Sequence, residues 1–400
     1  MKNFSKCLIF TGLILTSSSS FSQSSNKFGK GIINIMGKDS TYSMNVGLRI
    51  QSLYSGQWDA RNDELNNFGN PESNFMIRRS RLKFGGFAYS PKLQYKIELG
   101  LSNKDLSGGV IQHSNANRMI LDAVIKWNFY QNFTLWAGQT KLPGNRERVI
   151  SSANLQMVDR SRLNSKFNID RDMGIQLRHH FTLGKTFLVR EAFSLSQGEG
   201  RNVTTGNIGG MDYTFRMEFL PFGKFKSKGD YKGSDLKREK KPKLAIGITY
   251  DINEKAGRSR GQGGTYFATS TKNLKTLNSL FVDFMFKFQG FSLMGEYVAK
   301  TTKDNLEVMN NLNVGIGRYY TGEAVNLQTG YLFKNNWETS LRFTHISPDA
   351  GVSNKENEYT IGISKYVAGH KLKVQTDLSY REIENKDDIL FYRLQFELHF

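Results

Sequence analysis

The stretch of sequence that decides the fold, residues 76–87, reads MIRRSRLKFGGF and places four cationic side chains within six residues. Side chains alternate between the two faces of a β-strand, so an extended chain puts Arg79, Arg81 and Lys83 on one face and apolar side chains on the other. A helix would scatter these cations around its circumference and leave no apolar stripe. The stretch predicts a β-strand, either in a membrane barrel or at the edge of a soluble sheet, and the rest of the chain must decide between them.

The same two-residue alternation recurs along the chain in sixteen segments, and a helical period is almost absent. LQYKIELGL (93–101) and LFYRLQFELHF (390–400) alternate most cleanly. The predicted strands lie near 44–55, 74–88, 92–102, 119–130, 132–140, 171–183, 186–196, 210–221, 243–253, 276–288, 290–301, 318–332, 335–346, 357–367, 370–381 and 388–400.

Composition alone would fit a soluble protein, because the mean hydropathy is -0.48. However, the chain is rich in Gly (38), Phe (29) and Tyr (17) and poor in Pro (6). Strands of a membrane barrel alternate lipid-facing and lumen-facing side chains, so their average hydropathy stays low even in a bilayer. The composition is therefore compatible with a membrane barrel.

Connections between the predicted strands alternate between short and long. Short ones such as YSPK, YQN, LGK, FQG, FKNN and VAGH occur at every second junction. Outer-membrane barrels show this asymmetry, with tight periplasmic turns and longer outer loops. We therefore predict an all-β fold, a sixteen-stranded antiparallel transmembrane β-barrel. The basic segment 222–242 breaks the pattern, and it indicates either a misplaced strand boundary or a long periplasmic excursion of solvated charges.

The amino terminus has the order of a secretory signal peptide. Lys2 and Lys6 precede an apolar run, and small residues follow it up to Ser22. We expect cleavage near Ser22 and an outer-membrane barrel domain over 23–400. Removal of 1–22 would also remove Cys7, the only cysteine, which excludes thiol catalysis and disulfides in the mature chain.

The cations of the opening stretch are expected to face a water-filled lumen, because a cation on the lipid face near the bilayer midplane costs roughly 2–4 kcal/mol. The same alternation assigns thirteen cations and eight acids to the lumen. The cations are Arg79, Arg81, Lys83, Lys96, Lys126, Arg178, Arg190, Arg216, Lys287, Lys300, Arg342, Lys373 and Arg393; the acids are Glu98, Asp122, Glu218, Asp283, Glu296, Glu338, Asp377 and Glu397. The first six of these cations, Arg79 to Arg178, are the candidates for the anion pathway. Without the signal peptide the chain has 53 basic and 36 acidic residues, a formal charge of +17, so the pore is predicted to favour anions.

The longest connection, 141–170, is the third long loop, and it is either mobile outside the barrel or folded into the bore. A short helix is expected around 149–158. Its cations either bind anions in the bore or pair with acids of the same region and fix the loop to the wall. The cations are Lys141, Arg146, Arg148, Arg160, Arg162 and Lys166; the acids are Glu147, Asp159, Asp170 and Asp172.

Several motifs resemble those of the phosphate-selective porins O and P. They are RRSRLKFGG (78–86) with the YKIELGL that follows, WAGQTKLP (136–143), SSANLQMVDRS (151–161), DRDMGIQL (170–177) and the terminal Phe400. The block from 136 to 177 is the most specific part. The resemblance implies a homotrimeric porin of sixteen strands in the outer membrane of a Gram-negative bacterium, with inorganic phosphate, polyphosphate or other small anions passing an arginine-lined lumen.

The resemblance also implies roles for particular residues. Where the family has its constriction, this sequence has Lys141, Arg146, Arg148, Arg160 and Arg162. Phe400 resembles the carboxy-terminal signal that the outer-membrane assembly machinery reads. Acids interspersed among the lumenal cations keep a weakly selective general diffusion porin open as an alternative.

Other classes of function fit the sequence less well. The six His residues are dispersed, no H-E-x-x-H or G-x-S-x-G motif occurs, and neither a cofactor nor a metal is predicted. The basic residues are spread over many strands, which argues against a nucleic-acid partner. Basic outer loops would instead meet phosphates of lipopolysaccharide in the surrounding lipid. A structural or adhesive barrel stays open, although it would be expected to fill its lumen with neutralising ion pairs.

Overall fold

The computed structural model describes residues 28–60, 69, 71–106, 118–267, 271–303, 306–310 and 315–400. The predicted signal peptide, with Cys7 and the expected cleavage near Ser22, lies outside the described residues.

Sixteen strands form one closed antiparallel sheet, which confirms the predicted barrel. The strands are β1 (Tyr42–Ala60), β2 (Glu72–Ala88), β3 (Ser90–Gly100), β4 (Ile120–Tyr130), β5 (Phe133–Lys141), β6 (Arg171–Leu183), β7 (Phe187–Ser196), β8 (Asp212–Leu220), β9 (Lys243–Asn253), β10 (Leu277–Phe288), β11 (Phe291–Thr302), β12 (Gly322–Leu332), β13 (Trp337–Pro348), β14 (Glu356–Tyr366), β15 (Leu372–Ile383) and β16 (Asp388–His399). Each strand pairs with the next, and β16 pairs with β1 through residues such as Leu53 and Gln395. The closed ring leaves no barrel strand with a free edge.

Side chains alternate between lumen and outer surface as the sequence pattern predicts. On β10, Phe281, Asp283 and Lys287 are buried, whereas Leu280 and Val282 are exposed. Large apolar residues also cover the outer face of other strands, among them Leu327, Leu341 and Ile361. This outer belt is the surface that a bilayer core requires, because lipid tails solvate apolar side chains and not charges.

Connections at one end of the barrel are short. The segments 89, 131–132, 184–186, 289–290, 333–336 and 367–371 each span at most five residues. We call this end the turn end, and outer-membrane barrels have their short turns in the periplasm. The strand bounds around 221–242 differ from the predicted ones by at most two residues, so this segment is a long excursion at the turn end.

Short strands supplement the sixteen barrel strands, either at the margin of the barrel sheet or in a separate sheet. Strand Ile33–Met36 pairs with the start of β1. A three-stranded sheet joins Thr271–Lys272, Glu307–Asn310 and Gly315–Arg318. The strand predicted over 318–332 therefore begins later, at Gly322, because residues 315–318 belong to this outer sheet.

The helices are short. They are α1 (Asn103–Leu106), α2 (Arg146–Val149) and α3 (Arg162–Phe167), with 3₁₀ turns at Ser152–Asn154 and Lys226–Tyr231. The helix expected around 149–158 is wrong in position, because α2 ends at Val149 and only one 3₁₀ turn follows. None of the described helices has the length and apolar character needed to cross a bilayer.

Two apolar clusters lie within the barrel wall and pack against segment 142–170. Leu163 and Phe167 of α3 are fully buried against inward side chains of β10 and β11, including Phe281 and Val298. Ile150 packs in a second cluster that includes residues of β7, β8, β10 and β11. Apolar packing of this kind stabilises the segment on one side of the lumen.

Candidate functional site

A cavity of about 840 Å³ lies between segment 142–170 and the barrel wall, where β2 to β6 and β14 to β16 contribute inward side chains. Its lining contains seventeen cationic side chains and six carboxylates. The carboxylates are Glu98, Asp105, Asp122, Asp159, Asp170 and Glu358. The charge imbalance makes this side of the lumen strongly electropositive. We call it the cationic cavity.

Ten of the eleven residues predicted for the anion pathway line the cationic cavity. They are Arg79, Arg81, Lys83, Lys96, Lys126, Lys141, Arg148, Arg160, Arg162 and Arg178. Their proximity is an observation of geometry, and their role in transport stays a prediction. The eleventh, Arg146, does not line the cavity. Its guanidinium is fully buried among wall carboxylates, so it anchors the segment and does not face a passing anion.

Arg393, which the alternation assigned to the lumen, also lines the cavity. The six remaining cations of the cavity lining were missed by the sequence reasoning. They are Arg78, Lys104, Arg118, Arg171, Arg201 and Arg381. Lys104, Arg118 and Arg201 lie in connections, where alternation carries no information about direction. Arg381 lies on the same face of β15 as the buried Asp377, so the alternation of that strand could have found it.

Arg78 faces the lumen because of a β-bulge. Gln51 of β1 pairs with Arg79, but the next residue, Ser52, pairs with Ile77, so Arg78 is an extra residue in β2. A bulge places two residues opposite one and re-aims a side chain. Simple alternation would turn Arg78 away from Arg79, whereas both guanidiniums contact Asp159.

Ion pairs neutralise part of the wall. Arg81 lies 2.8 Å from Glu98, and Lys96 lies 2.6 Å from Asp122. Arg171 also contacts Asp122, at 3.1 Å. These pairs hold the cations in place at the cavity surface. They also offset the negative charge of the acids that lie among the cations.

Farther along this wall, two cations flank an aromatic ring. Lys126 Nζ lies 3.8 Å from the ring centroid of Trp136, and the guanidinium carbon of Arg178 lies 4.2 Å from it. Strands β4 and β6, which carry the two cations, lie on either side of β5, which carries Trp136. A cation over an aromatic face is stabilised without losing its charge. Trp136 therefore orients both cations in the cavity lining without neutralising them.

Segment 142–170 is also fixed to the strands from β8 to β15. Arg146 is 2.7 Å from Asp283 on β10 and 3.1 Å from Glu218 on β8. The backbone N–H of Glu147 donates to Glu296 on β11 at 3.0 Å.

Three more contacts extend the attachment around the barrel. Gln156 donates to Glu338 at 2.8 Å, the backbone N–H of Val158 donates to Asp377 at 3.0 Å, and Arg162 pairs with Glu356 at 2.6 Å. Wall carboxylates on strands from β8 to β15 thus hold the segment.

The acids that the sequence offered as partners for the loop arginines have mixed roles. Asp170 pairs with Arg148. Glu147 accepts from Ser161, and Asp172 accepts backbone N–H groups of Met173 and Gly198. Arg146 and Arg162 therefore fix the segment to the wall, and their partners are acids of the wall and not acids of the loop.

Arg160 differs from the other loop arginines. Its Nε donates to the Glu147 carbonyl at 2.9 Å and its Nη2 to the Ile150 carbonyl at 2.6 Å. Within the described parts of the chain it forms no ion pair, and it lines the cationic cavity. Arg160 is therefore rigidly held but not neutralised.

Comparison with known families identifies the chain. The model of the family phosphate-selective porin O and P matches residues 45–396. The chain belongs to this family of porins. It is therefore an outer-membrane porin of a Gram-negative bacterium, and its fold and family point to a channel and not to an enzyme.

Three proteins that this porin resembles share low sequence identity with it. An uncharacterised protein of Aquifex aeolicus (strain VF5) is 24% identical over 369 residues, which are 84% of this chain and 83% of that protein. The OmpF porin of Salmonella typhi, solved in complex with daunomycin, shares the fold with a TM-score of 0.57 and 12% identity over 92% of this chain and all of that chain. The anion-selective porin from Comamonas acidovorans has a TM-score of 0.53 and 10% identity over 90% of this chain and 100% of that chain. These structures support the barrel fold of the porin.

The electrostatics of the loop in this porin follow from its contacts. Burial alone would raise the pKa of the Asp159 carboxyl, but the guanidiniums of Arg78, Arg79 and Arg393 hold it well below its usual range. Burial and the nearby Arg148 lower the pKa of Arg160, although a guanidinium keeps its proton in proteins. Asp159 is therefore ionised at neutral pH, and Arg160 is a cation in an environment that favours an added anion.

The turn-end segment 221–242 of the porin is more than a run of solvated charges. Lys224, Lys240 and Lys241 are exposed as expected. However, Asp230 is fully buried and pairs with Arg190 of β7. The backbone N–H of Gly233 donates to the carbonyl of Asn154 at 2.8 Å. The segment thus enters the barrel from the turn end and contacts segment 142–170.

Proposed function

We propose that this porin lets small anions, inorganic phosphate among them, diffuse passively through the cationic cavity. The observation that carries the proposal is the imbalance of seventeen cations and six carboxylates on one side of the lumen. Anion preference follows because positive charge in a low-dielectric bore lowers the energy of an anion that has lost part of its hydration shell.

Arginine is suited to this task, since its planar fork of donors matches a phosphate group. The Nε and Nη2 of Arg160 donate to backbone carbonyls, so its Nη1 is available to bind an anion. Arg78 and Arg79 donate to Asp159 and line the same cavity. We assign these three guanidiniums to the point where segment 142–170 narrows the path.

A weakly selective general diffusion porin is the second candidate. The wall pairs of Arg81 with Glu98 and of Lys96 with Asp122 favour it, because paired charges attract a passing ion less than free ones. In that case the cationic excess acts only as a diffuse wall charge. The two candidates differ in their dependence on salt, because exposed charges are screened over about 10 Å at 0.1 M ionic strength.

A planar bilayer that holds the purified porin tests the proposal. Under a potassium chloride gradient, we expect a reversal potential with the sign of anion preference and a reduction of chloride current by added phosphate. Persistence of both at high salt supports a desolvated anion site, and their loss as salt rises supports the diffuse wall charge. A cation-preferring channel would contradict both.

Assembly completes the proposal. We infer a homotrimer in the outer membrane, with the signal peptide removed near Ser22 and Phe400 read by the assembly machinery. Basic outer loops would contact phosphates of lipopolysaccharide. Native mass measurement in detergent tests the trimer, and amino-terminal sequencing of the exported protein tests the cleavage site.

A further inference from the structure

Three buried acids lie together at the outer end of the barrel, opposite the turn end. They are Asp172 at the start of β6, Asp212 at the start of β8 and Asp251 near the end of β9, and each is at most 2% exposed. In the part of the chain that the structure describes, none of the three forms an ion pair, whereas inward acids such as Asp122 and Asp283 contact arginine. We call the three the outer acid cluster.

Two members of the outer acid cluster touch. The carboxyl groups of Asp212 and Asp251 contact each other. Gln262 Nε2 donates to Asp212 Oδ2 at 2.5 Å, and the hydroxyl of Thr214 donates to Asp251 Oδ1 at 2.9 Å. The other oxygen of Asp212, Oδ1, is buried and has no donor among the described residues. Two ionised carboxylates in contact in a buried site repel each other, so the pair holds one proton, and a shared proton supplies the missing donor.

Titratable and charged groups face this pair from the elements around it. Among the described residues they are Asp172 of β6, Lys300 of β11, and Glu199, Arg258, Arg260 and Tyr266 of the outer connections. Lys300 attracts both acids, but its Nζ donates to the carbonyl of Arg260 at 3.1 Å. Arg258 donates to the carbonyls of Glu199 and Gln262 and not to the pair. Direct contact with a cation therefore does not neutralise the pair.

The pair is linked to the edge of the cationic cavity through residues 254–267, which follow β9. Gln262, which donates to Asp212, belongs to this segment. Two residues earlier, Arg260 Nη1 donates to the carbonyl of Ser165 in α3 at 2.6 Å. Ser165 lines the cationic cavity. One chain of contacts thus joins the carboxyl pair, segment 254–267 and α3.

We propose that Asp212 and Asp251 form a proton-dependent lock on segment 254–267. With one proton shared between them, the acids accept the amide of Gln262, and the segment stays against α3. When the proton passes to bulk water, two charges remain in contact in a buried site, which is costly. Release of the segment lets water solvate both charges and frees the outer edge of the cationic cavity. The lock does not depend on which ion the porin prefers.

The direction of the pH dependence follows from the proton count. The closed segment retains one proton that the open segment gives up to water. The closed state is therefore favoured at low pH and is lost as pH rises. Release of one proton changes an equilibrium by about tenfold for each pH unit.

Hydrogen–deuterium exchange of the folded porin in detergent, read by mass spectrometry, tests the lock. Internal hydrogen bonds of the segment report its opening, for example the one from the Phe267 N–H to the Gly257 carbonyl at 3.0 Å. Protection factors correct for the pH dependence of the chemical exchange rate. Those of segment 254–267 should be constant at low pH and then fall by about tenfold for each pH unit. Peptides of segment 221–242, at the turn end, should show no such fall.

Matched variants assign the proton. In Asp212→Asn an amide donates to Asp251 and carries no proton that titrates, so the protection of segment 254–267 should not depend on pH. Asp387→Asn removes a charge from an exposed residue and should behave as the wild type. Gln262→Leu retains the pair but removes the link, so the segment should exchange rapidly at every pH. Heat-modifiability on a gel verifies that each variant forms the barrel.

Loss of a proton from Lys300 is the alternative cause of opening at high pH. Lys300→Met removes a positive charge near the pair, so the acids hold their proton more strongly and the fall in protection should move to higher pH. Protection in the wild type that does not change with pH would overturn the lock. A fall that persists in Asp212→Asn, or one that disappears in Lys300→Met, would overturn it as well.

Single-channel recording tests the effect on the pore. The conductance of the wild type, divided by that of Asp212→Asn at the same pH, should rise over the pH range in which the exchange of segment 254–267 rises. Asp387→Asn should give the same ratio as the wild type. A ratio that stays constant while the exchange rises would reject a restraint of the cationic cavity by this segment.

Discussion

The guanidinium of Arg78 donates from Nη2 to Asp159 Oδ1 at 2.9 Å, and this contact joins the barrel wall to segment 142–170. Arg79 donates to the same oxygen at 3.2 Å, and Arg393 lies 3.9 Å from the other. One loop carboxylate therefore restrains three wall cations. The bulge in β2 makes this possible, because it turns Arg78 and Arg79 to the same side.

The Asp159→Asn variant should increase anion preference. It removes the charge that three guanidiniums share, so their positive potential in the cavity rises. We expect a reversal potential further toward the anion limit and stronger block by phosphate, measured in planar bilayers. Asp387→Asn, which removes one charge at an exposed loop residue, is the control. Equal changes in both variants would mean that only net charge matters.

Arg160→Gln and Arg162→Gln should have different effects. Arg160 binds only backbone carbonyls, whereas Arg162 is held by both oxygens of Glu356. We therefore expect Arg160→Gln to reduce phosphate block several-fold with little change in stability, and Arg162→Gln to reduce it less. Single-channel current at rising phosphate concentration measures this. Phosphate block that is the same in both variants as in the wild type would show that these arginines have only a structural role.

The barrel could be predicted from the sequence because each strand has one face toward lipid and the other toward the lumen. Two-residue alternation records that boundary, and Asp283 and Lys287 on β10 face inward as it requires. The pattern failed where the backbone departs from it. The bulge at Arg78 cannot be predicted from alternation, since MIRRSR (76–81) contains no residue, such as glycine, that would indicate a bulge.

The site was harder to predict than the fold because its partners are distant in the chain. The sequence pattern does not distinguish Arg146 from Arg160. Arg146 is buried and contacts Asp283 and Glu218, whereas Arg160 faces the cavity. Their difference depends on strands more than seventy residues away. The same holds for segment 221–242, whose acids bind backbone groups that only the folded chain supplies.

Arg146→Met should destabilise the porin. Removing one member of a buried ion pair costs about 3–5 kcal/mol because a charge is left uncompensated. Arg216 also contacts Asp283 and Glu218, so the cost should lie near the lower end. Urea unfolding in detergent measures it, with Arg148→Met, which breaks a more exposed pair, as the control. A smaller loss for Arg146→Met than for the control would contradict its role as an anchor.

Phe400→Asp should lower the amount of folded porin in the outer membrane far more than Phe391→Asp. The backbone N–H of Phe400 donates to the Leu48 carbonyl at 2.9 Å, and its ring contacts Phe28 edge to face. Phe391 instead lies beneath the guanidinium of Arg381. Membrane fractionation with a heat-modifiability gel measures both variants. Equal losses would remove the case for Phe400 as an assembly signal.

The contribution of Asp159 to stability should depend on pH in one direction. Its pKa is below the usual range in the folded porin, whereas an unfolded Asp has a pKa of about 3.9. A depressed pKa stabilises the fold above the unfolded pKa, and this contribution disappears as pH falls toward the folded pKa. The difference in unfolding free energy between the wild type and Asp159→Asn should therefore be constant from pH 7 to about pH 5 and shrink below about pH 4. Urea unfolding at each pH measures it, with Asp387→Asn as the reference. A difference that grows on acidification would mean that Asp159 is not held by the three guanidiniums in solution.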